Sequence, residues 1–338
     1  MTKSNTWPGP VQEAAGGADT PDISIVIVSW NTSDLLLQCL RSIQDPAVKE
    51  NLLLELIVVD NASMDGSADA AKALGGVGVK VMPLRRNLGY GRANNLGLRE
   101  AAGRYILILN ADTILLPGCL GLLKEFAERE PQAGIVSPRL LNEDGTIQRS
   151  AFRFPTLVMA AIDLFPLPSW LPGRVRLWVE GSVANGRYLI EQIANEPYKI
   201  DHPLGACMLL RREAYLERGG FDPEIFMYSE EIDLALRYAK AGWECWQVPQ
   251  AHVVHLGGRS TGQAPVAMQR ELWRSRLYLY RKHRSRLATL ALASLLLVAQ
   301  VVSLLTVTVR RLVGRLTPIE AARRRRIART LIKVALSR

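Results

Sequence analysis

Residues 23–29 read I-S-I-V-I-V-S, and this stretch decides the fold class. Five of its seven residues are isoleucine or valine, and β-branched side chains favour strands. An apolar run without polar alternation marks a strand covered on both faces, as in a parallel sheet. The next segments keep the theme. Ser33 to Ile43 places Leu36, Cys39, Leu40 and Ile43 on one helical face. Leu52 to Val59 is a second buried strand, ending at Asp60. Asp65 to Leu74 reads as helix, Val77 to Leu84 as strand, and Gly89 to Ala102 as a helix of small residues. Tyr105 to Leu109 is another strand, ending in Asn110-Ala111-Asp112. This alternation predicts an α/β architecture, an open and mostly parallel Rossmann-like sheet with helices on both faces. Ligands then bind beyond the carboxyl ends of the strands, where Asp60 and Asp112 stand.

Downstream, 117–150 continues with a helix, a strand and the turn sequence N-E-D-G at 142–145. Residues 151–200 are rich in proline and aromatic side chains and read as a long, partly ordered excursion suited to substrate contact. Order returns as a strand over Gly205 to Arg211, helices over Arg212 to Arg218 and Ser229 to Ala241, and a strand over Trp243 to Val248.

The 338 residues are 48% apolar, enough for a substantial core. Cys39, Cys119, Cys207 and Cys245 are scattered, which fits a reducing compartment and neither a zinc site nor a disulfide framework. Residues 1–21 read as a disordered leader without an apolar signal segment. The net charge of +10 is uneven: Arg270 to Arg338 holds 17 Lys/Arg against two acids, Glu271 and Glu320. The remainder is mildly acidic, so an anionic surface is expected to meet the tail alone. Leu287 to Val309 carries no charge over 23 residues, long enough to cross a bilayer. Lipid is therefore the expected partner and nucleic acid is not. Both flanks of the run are basic, which a single span cannot reconcile with cytoplasmic placement of positive charge. A kinked or re-entrant hairpin, or helices lying in the interface, resolves the conflict. A buried core or oligomer helix with a solvated basic tail is the alternative. The expected division is a leader at 1–21, a catalytic domain at 22–265 with halves 22–115 and 116–265, and a basic, apolar helical membrane-associating tail at 266–338.

Single residues leave their roles open. Asp60 and Asp112 at strand ends serve as turn or helix caps in many proteins. Asp112 is also a hard oxygen donor for a divalent cation. Glu230, Glu231 and Asp233 open a predicted helix, where acids complement the helix dipole or, poised by one another's charge, act as a general base. His255 is a candidate metal ligand or a structural histidine.

Together, the motifs resemble glycosyltransferase family 2, and in particular its bacterial rhamnosyltransferase-like branch. They run in order: I-V-I-V-S-W-N-T-S-D, V-V-D-N-A-S-M-D-G-S, N-L-G-Y-G-R-A-N-N-L-G, L-I-L-N-A-D-T, G-A-C-M-L-L-R-R-E, G-G-F-D-P-E-I-F-M-Y-S-E-E-I-D-L-A-L-R and H-L-G-G-R-S-T, from about Ile23 to Thr261. The resemblance implies a GT-A fold and an inverting single displacement from a nucleoside-diphosphate sugar. It places Trp30 against the nucleobase, with Asn31 beside it, and Asp60 on the base edge. Asn87, Gly89, Arg92 and Asn95 belong near the diphosphate and ribose. Asn110 holds the first position of a D-x-D-like element, whose second, Asp112, binds Mg2+ or Mn2+, with His255 as a further ligand. The branch usually carries Glu-Asp where this chain has Glu230-Glu231. Glu231 thus takes the general-base position with one extra methylene, with Glu230 and Asp233 as neighbouring acids.

The expected donor is a dTDP- or UDP-sugar, with dTDP-rhamnose favoured, and the expected acceptor a lipid-linked or polysaccharide cell-envelope glycan. The expected location is the cytoplasmic face of the inner membrane, peripheral or anchored by the C-terminal tail. Two rivals remain: a catalytically weak nucleotide-sugar-binding scaffold of an assembly complex, supported by Glu231, and a nucleotidyltransferase. The latter is disfavoured because Ser29-Trp30-Asn31-Thr32 follows the first strand instead of a glycine-rich phosphate loop.

Overall fold

Ile23, Ile25, Val26 and Ile27 are all fully buried, so the first strand is covered on both faces. Burying such a side chain contributes about 1.5–3 kcal/mol, which is why this run is so legible in the sequence. The computed structural model describes residues 20–45, 48, 51–75, 78–165, 172–174, 186, 188–257 and 265–337. Most of the expected leader, much of the 166–187 stretch, and Gly258 to Thr261 of the last motif lie outside the described residues.

The chain divides into two units. In the first, the chain runs β1 (Ile23–Ser29), α1 (Ser33–Gln44), β2 (Leu54–Asp60), α2 (Ser67–Gly75), β3 (Val79–Pro83), α3 (Tyr90–Glu100), β4 (Tyr105–Asn110), β5 (Thr113–Leu115), α4 (Cys119–Arg129), β6 (Ala133–Leu141), β7 (Ile147–Gln148) and β8 (Ala151–Phe152). After the second unit's α5 (Leu157–Leu164) come β9 (Tyr198–Ile200), β10 (His202–Pro203), β11 (Cys207–Arg211), α6 (Arg212–Arg218), α7 (Glu230–Ala239) and β12 (Glu244–His255).

The sheet order is β3-β2-β1-β4-β11-β6-β12-β5, with β7 and β9 on its flanks. Strands β3, β2, β1 and β4 are parallel, in a register that sets Ser29 beside Asp60 and Val28 beside Asn110. The acids expected at strand ends thus share one edge. On one face, Leu36, Cys39 and Leu40 of α1 pack with Ile25 and Ile27. On the other, α3 lies close because Gly97 has no side chain to strike Val26 and Val59.

The sheet departs from a purely parallel one at β11, which runs antiparallel to both β4 and β6, and at β5, antiparallel to β12. Each reversal brings a new residue to the edge. Beside β4, the start of β11 puts Ala206 against Asn110, whose N–H it accepts at 2.9 Å. The strand expected to close at Val248 bulges there and continues to His255. Its last residues pair with β5, His255 opposite Thr113, which carries the histidine to Asp112.

The second unit contains α5 and three long helices, α8 (Pro265–His283), α9 (Arg286–Leu312) and α10 (Pro318–Leu336). Trp273, Leu277 and Tyr280 of α8 form a core with Leu292 and Leu296 of α9 and Leu331 and Val334 of α10. The described residues between Arg153 and Gly186 belong to this unit, and Ala160 of α5 joins its core. The apolar run is one continuous helix; the turn falls after it, at Gly314, with φ +71°. Ser285 caps α9, and Thr317 with Glu320 forms a capping box on α10.

Candidate active site

Three loops meet beyond the ends of β1, β2 and β3. Trp30 is half-buried, and Asn31 takes φ +52°. The Asn31 N–H donates to Ser63 Oγ (2.9 Å), its Oδ1 accepts from the Met64 N–H (2.8 Å), and the Ser33 N–H donates to Asp65 Oδ2 (2.8 Å). These bonds lash the first loop to the second, where Ala62 also has positive φ. Left-handed non-glycine residues store strain that surrounding bonds must hold, a feature concentrated at functional sites.

Asp60 is buried. Its Oδ2 accepts from the Ser63 N–H at 3.2 Å, while its Oδ1 has no hydrogen-bond partner. A buried carboxylate oxygen left open is an acceptor held ready for a donor. Asn61 organises the third loop: it donates to Asn87 Oδ1 (3.1 Å) and accepts from the Leu88 N–H (2.8 Å). Asn87 in turn accepts from the Gly89 N–H (2.9 Å). Gly89, with φ +83°, lies where a Cβ would run into the Phe226 carbonyl, which accepts from the Tyr90 N–H.

Two of the residues expected near the diphosphate are engaged elsewhere. The Arg92 guanidinium donates to the Pro223 carbonyl and lies 3.7 Å from Glu224. Both polar atoms of the Asn95 side chain bind the Phe221 backbone, at 2.7 and 2.8 Å.

After β4, Asn110 presents a buried Oδ1 without a partner. Asp112 Oδ1 lies 3.4 Å from His255 Nε2. Gln148 fixes what that contact means. Its Nε2 donates to the His255 carbonyl (3.1 Å) and to Asn142 Oδ1 (3.0 Å), so its Oε1 accepts from His255 Nδ1 at 2.6 Å. With the proton on Nδ1, a neutral imidazole turns its Nε2 lone pair toward the Asp112 carboxylate. Two acceptors facing each other call for a cation between them, a proton or a divalent metal ion. The oxygen and nitrogen donors, with the open Asn110 oxygen at the end of β4 two residues before Asp112, suit a hard or borderline cation. Among the described residues no cluster of three or more Asp, Glu, His or Cys forms around such a point.

The acid pair opens α7, directly after Tyr228 and Ser229, which take φ +66° and +67°. Glu230 is buried, and its Oε2 has no partner. Burial first, and the neighbouring Glu231 charge second, push its carboxyl well above the usual carboxylate range. Glu231 is half-buried and lies against Gly205, whose carbonyl accepts from the Tyr90 hydroxyl at 2.8 Å. Burial raises the Tyr90 hydroxyl well above its ordinary pKa, and the charges of Glu230, Glu231 and Asp112 add to the effect. Glu231 and the Tyr90 hydroxyl thus meet the same residue, Gly205. Asp233 is fully buried and bonded to Arg237 Nε at 2.7 Å.

Sequence reading passed over Tyr90, Gln148 and Asn61. Tyr90 and Asn61 sit inside quoted motifs, and that was their only signal. Gln148 gave none, because its role depends on β12 reaching His255.

The model of the family described as Glycosyl transferase family 2 matches residues 24–219. The N-acetylglucosaminyl-diphospho-decaprenol L-rhamnosyltransferase of Mycobacterium tuberculosis is 30% identical over 259 residues, 73% of this chain and 80% of that protein. A mannosyltransferase from Pyrobaculum calidifontis, solved with GDP-Man and Mn2+, has a TM-score of 0.53 at 16% identity, covering 98% of this chain and 90% of that one. GalNAc-T7, solved with UDP, GalNAc and Mn2+, has a TM-score of 0.55 at 18% identity; the match covers 78% of this chain and 48% of that one. The fold is GT-A, and among the described residues one apolar C-terminal helix is long enough to cross a membrane. Fold and family match agree, and the chain belongs to glycosyltransferase family 2.

Proposed function

We propose that this glycosyltransferase moves L-rhamnose from dTDP-rhamnose to a lipid-linked envelope glycan at a membrane surface, with inversion at the anomeric carbon. The observation that carries the reading is the Gly205-Ala206 backbone, which lies against Glu231 and also accepts the Asn110 N–H at 2.9 Å, two residues before Asp112. This arrangement would set a base and a cation-binding acid at one site. The similarity to a rhamnosyltransferase named for a diphospho-decaprenol acceptor supports the sugar and the acceptor class.

Asp60 supports a pyrimidine nucleotide. One of its oxygens is engaged and one is open, which suits the single imide N–H of thymine or uracil. Trp30 offers a half-buried aromatic face for the base. Asp112 and His255 would hold Mg2+ or Mn2+, with remaining ligands from substrate and water. The bound ion would supply Lewis-acid neutralisation of the donor diphosphate.

Glu231 accepts the proton of the acceptor hydroxyl as that oxygen bonds to the anomeric carbon and the carbon–diphosphate bond breaks. Burial first, and the Glu231 charge second, favour the protonated form of Glu230. Asp233, Asn95 and Arg92 are positioning residues: Arg237, bound to Asp233, donates to the Arg218 and Gly220 carbonyls, and Asn95 clips Phe221. Together they fix the 218–224 segment that leads into the acid pair.

The test is a donor panel of dTDP-, UDP- and GDP-sugars with Mn2+, reading product by mass and anomeric configuration by NMR. Transfer from dTDP-rhamnose with configuration opposite to the donor's is expected. Retention of configuration, or preference for a GDP-sugar, would overturn the reading. Binding of the donor without transfer to any acceptor would favour a scaffold.

A further inference from the structure

The second unit presents an apolar face that its own packing leaves uncovered. Leu290, Val298, Val301, Leu305, Val309 and Leu312 of α9 are each 45% exposed or more. At 100° per residue they fall within one sector of the helix. Leu292, Leu296 and Val307 lie on the opposite side, buried against α8 and α10.

Three observations decide what covers this face. First, α9 and α10 are zipped antiparallel along their length: Leu292 and Leu296 share a core with Leu331 and Val334, while Val307 at the other end shares one with Ala321. A transmembrane α9 would carry α10 into the hydrocarbon with Arg323, Arg324, Arg325, Arg326, Arg329 and Lys333. Arginine and lysine at the bilayer centre are strongly unfavourable. Second, exposed cations stand at both ends of α9, Arg284 just before it and Arg286 at its first position, and Arg310 and Arg311 in its last turn. A span would separate these clusters across the membrane; a helix lying flat keeps them in one headgroup layer. Third, the cations of 270–337 greatly outnumber its acids. Glu271 pairs with Arg270, and Glu320 is used in the α10 cap. A second copy would bring the same excess of positive charge to the interface, whereas an anionic lipid surface complements it.

We infer that α9 and α10 form an in-plane, monotopic anchor for an anionic membrane, with the exposed α9 face dipping into the acyl boundary and both ends of α9 on the same side. At about 1.5 Å per residue, α9 lies across about 40 Å of surface. This deepens the membrane part of the proposed function and is independent of which sugar is moved.

The test uses the full chain with one cysteine introduced at either end of α9, Arg284→Cys or Arg311→Cys. The native cysteines are buried and the parent chain serves as the background control. Sealed inverted membrane vesicles from the expressing cells are treated with a membrane-impermeant maleimide before and after detergent. Both positions are expected to label fully before detergent. One position labelling only after detergent would mean a span and overturn the inference. In a second arm, purified protein is floated with vesicles of phosphatidylcholine alone or with one quarter phosphatidylglycerol. Flotation with the anionic vesicles is expected to be at least tenfold greater, and lost in a Leu290→Lys/Leu305→Lys variant whose thermal unfolding is unchanged. Equal flotation with both vesicles, or no flotation together with a dimer in sedimentation velocity, would overturn it. None of these readouts depends on transfer activity, so failure of the sugar assignment leaves the result interpretable.

Discussion

His255 Nε2 lies 3.4 Å from Asp112 Oδ1, and Gln148 on the far side of the ring holds the proton on Nδ1. Side chains that orient a metal-ligating histidine shift metal affinity about 10–100-fold when lost. Gln148→Ala is therefore expected to weaken Mn2+ binding by that factor in calorimetry, while Gln148→Glu, which keeps an acceptor, retains most of it. Chelation by EDTA is expected to abolish transfer in the parent protein and Mn2+ to restore it.

Asp60 holds one buried oxygen open. A hydrogen bond to a charged group contributes about 1.5–3 kcal/mol. Asp60→Asn is expected to raise the dissociation constant for dTDP about 10-fold or more, measured by calorimetry. An unchanged constant would remove Asp60 from the nucleotide site.

Glu230 gives the fold a pH signature. Its folded-state pKa is raised above the unfolded value, chiefly by burial. The folded state therefore binds its proton more tightly than the unfolded chain does. The resulting stability is present in full below the unfolded pKa and is lost as pH rises through the folded one, at up to about 1.4 kcal/mol per pH unit. Glu230→Gln cannot ionise, so urea unfolding across that window is expected to show a shallower loss of stability than the parent.

Gly89 has φ +83° and ψ +168°, a region open to glycine alone, and its missing Cβ leaves room for the Phe226 carbonyl. Gly89→Ala is expected to lose about 2–4 kcal/mol in denaturant unfolding, from strain and overpacking together.

Asp233 makes its ion pair with Arg237 at zero exposure, while Arg237 is 20% exposed. Breaking a buried pair costs about 3–5 kcal/mol, and the partial exposure of Arg237 favours the lower end. Asp233→Asn is expected to lose about 3 kcal/mol of stability. In the surviving folded fraction, the pH profile of transfer should keep its shape, as suits a positioning residue.

What the sequence made legible follows from how each element is buried. Strand β1 is apolar on both faces, so its bounds could be read directly, and α6 likewise falls between a buried strand and Gly219. The strand-end positions of Asp60 and Asn110 followed from the same runs. The far half of β12 was hidden: Q-A-H-V-V-H lacks a strand pattern of its own and is ordered by long-range pairing with β5 and β6. Helix α8 falls within the expected helical tail, but its bounds were masked by its charges, although Trp273, Leu277 and Tyr280 repeat at helical spacing. Tyr90 could not be singled out because its role requires Gly205, 115 residues away, to reach its hydroxyl.

The most direct measurement is single-turnover transfer from dTDP-rhamnose to a lipid-linked acceptor by the parent protein and by Glu231→Gln. General-base catalysis contributes about 10²–10⁴-fold. The expected result is a rate at least a hundredfold lower in Glu231→Gln, with the donor dissociation constant unchanged. A Glu231→Gln rate within a few-fold of the parent's would contradict the assignment of Glu231 as the base.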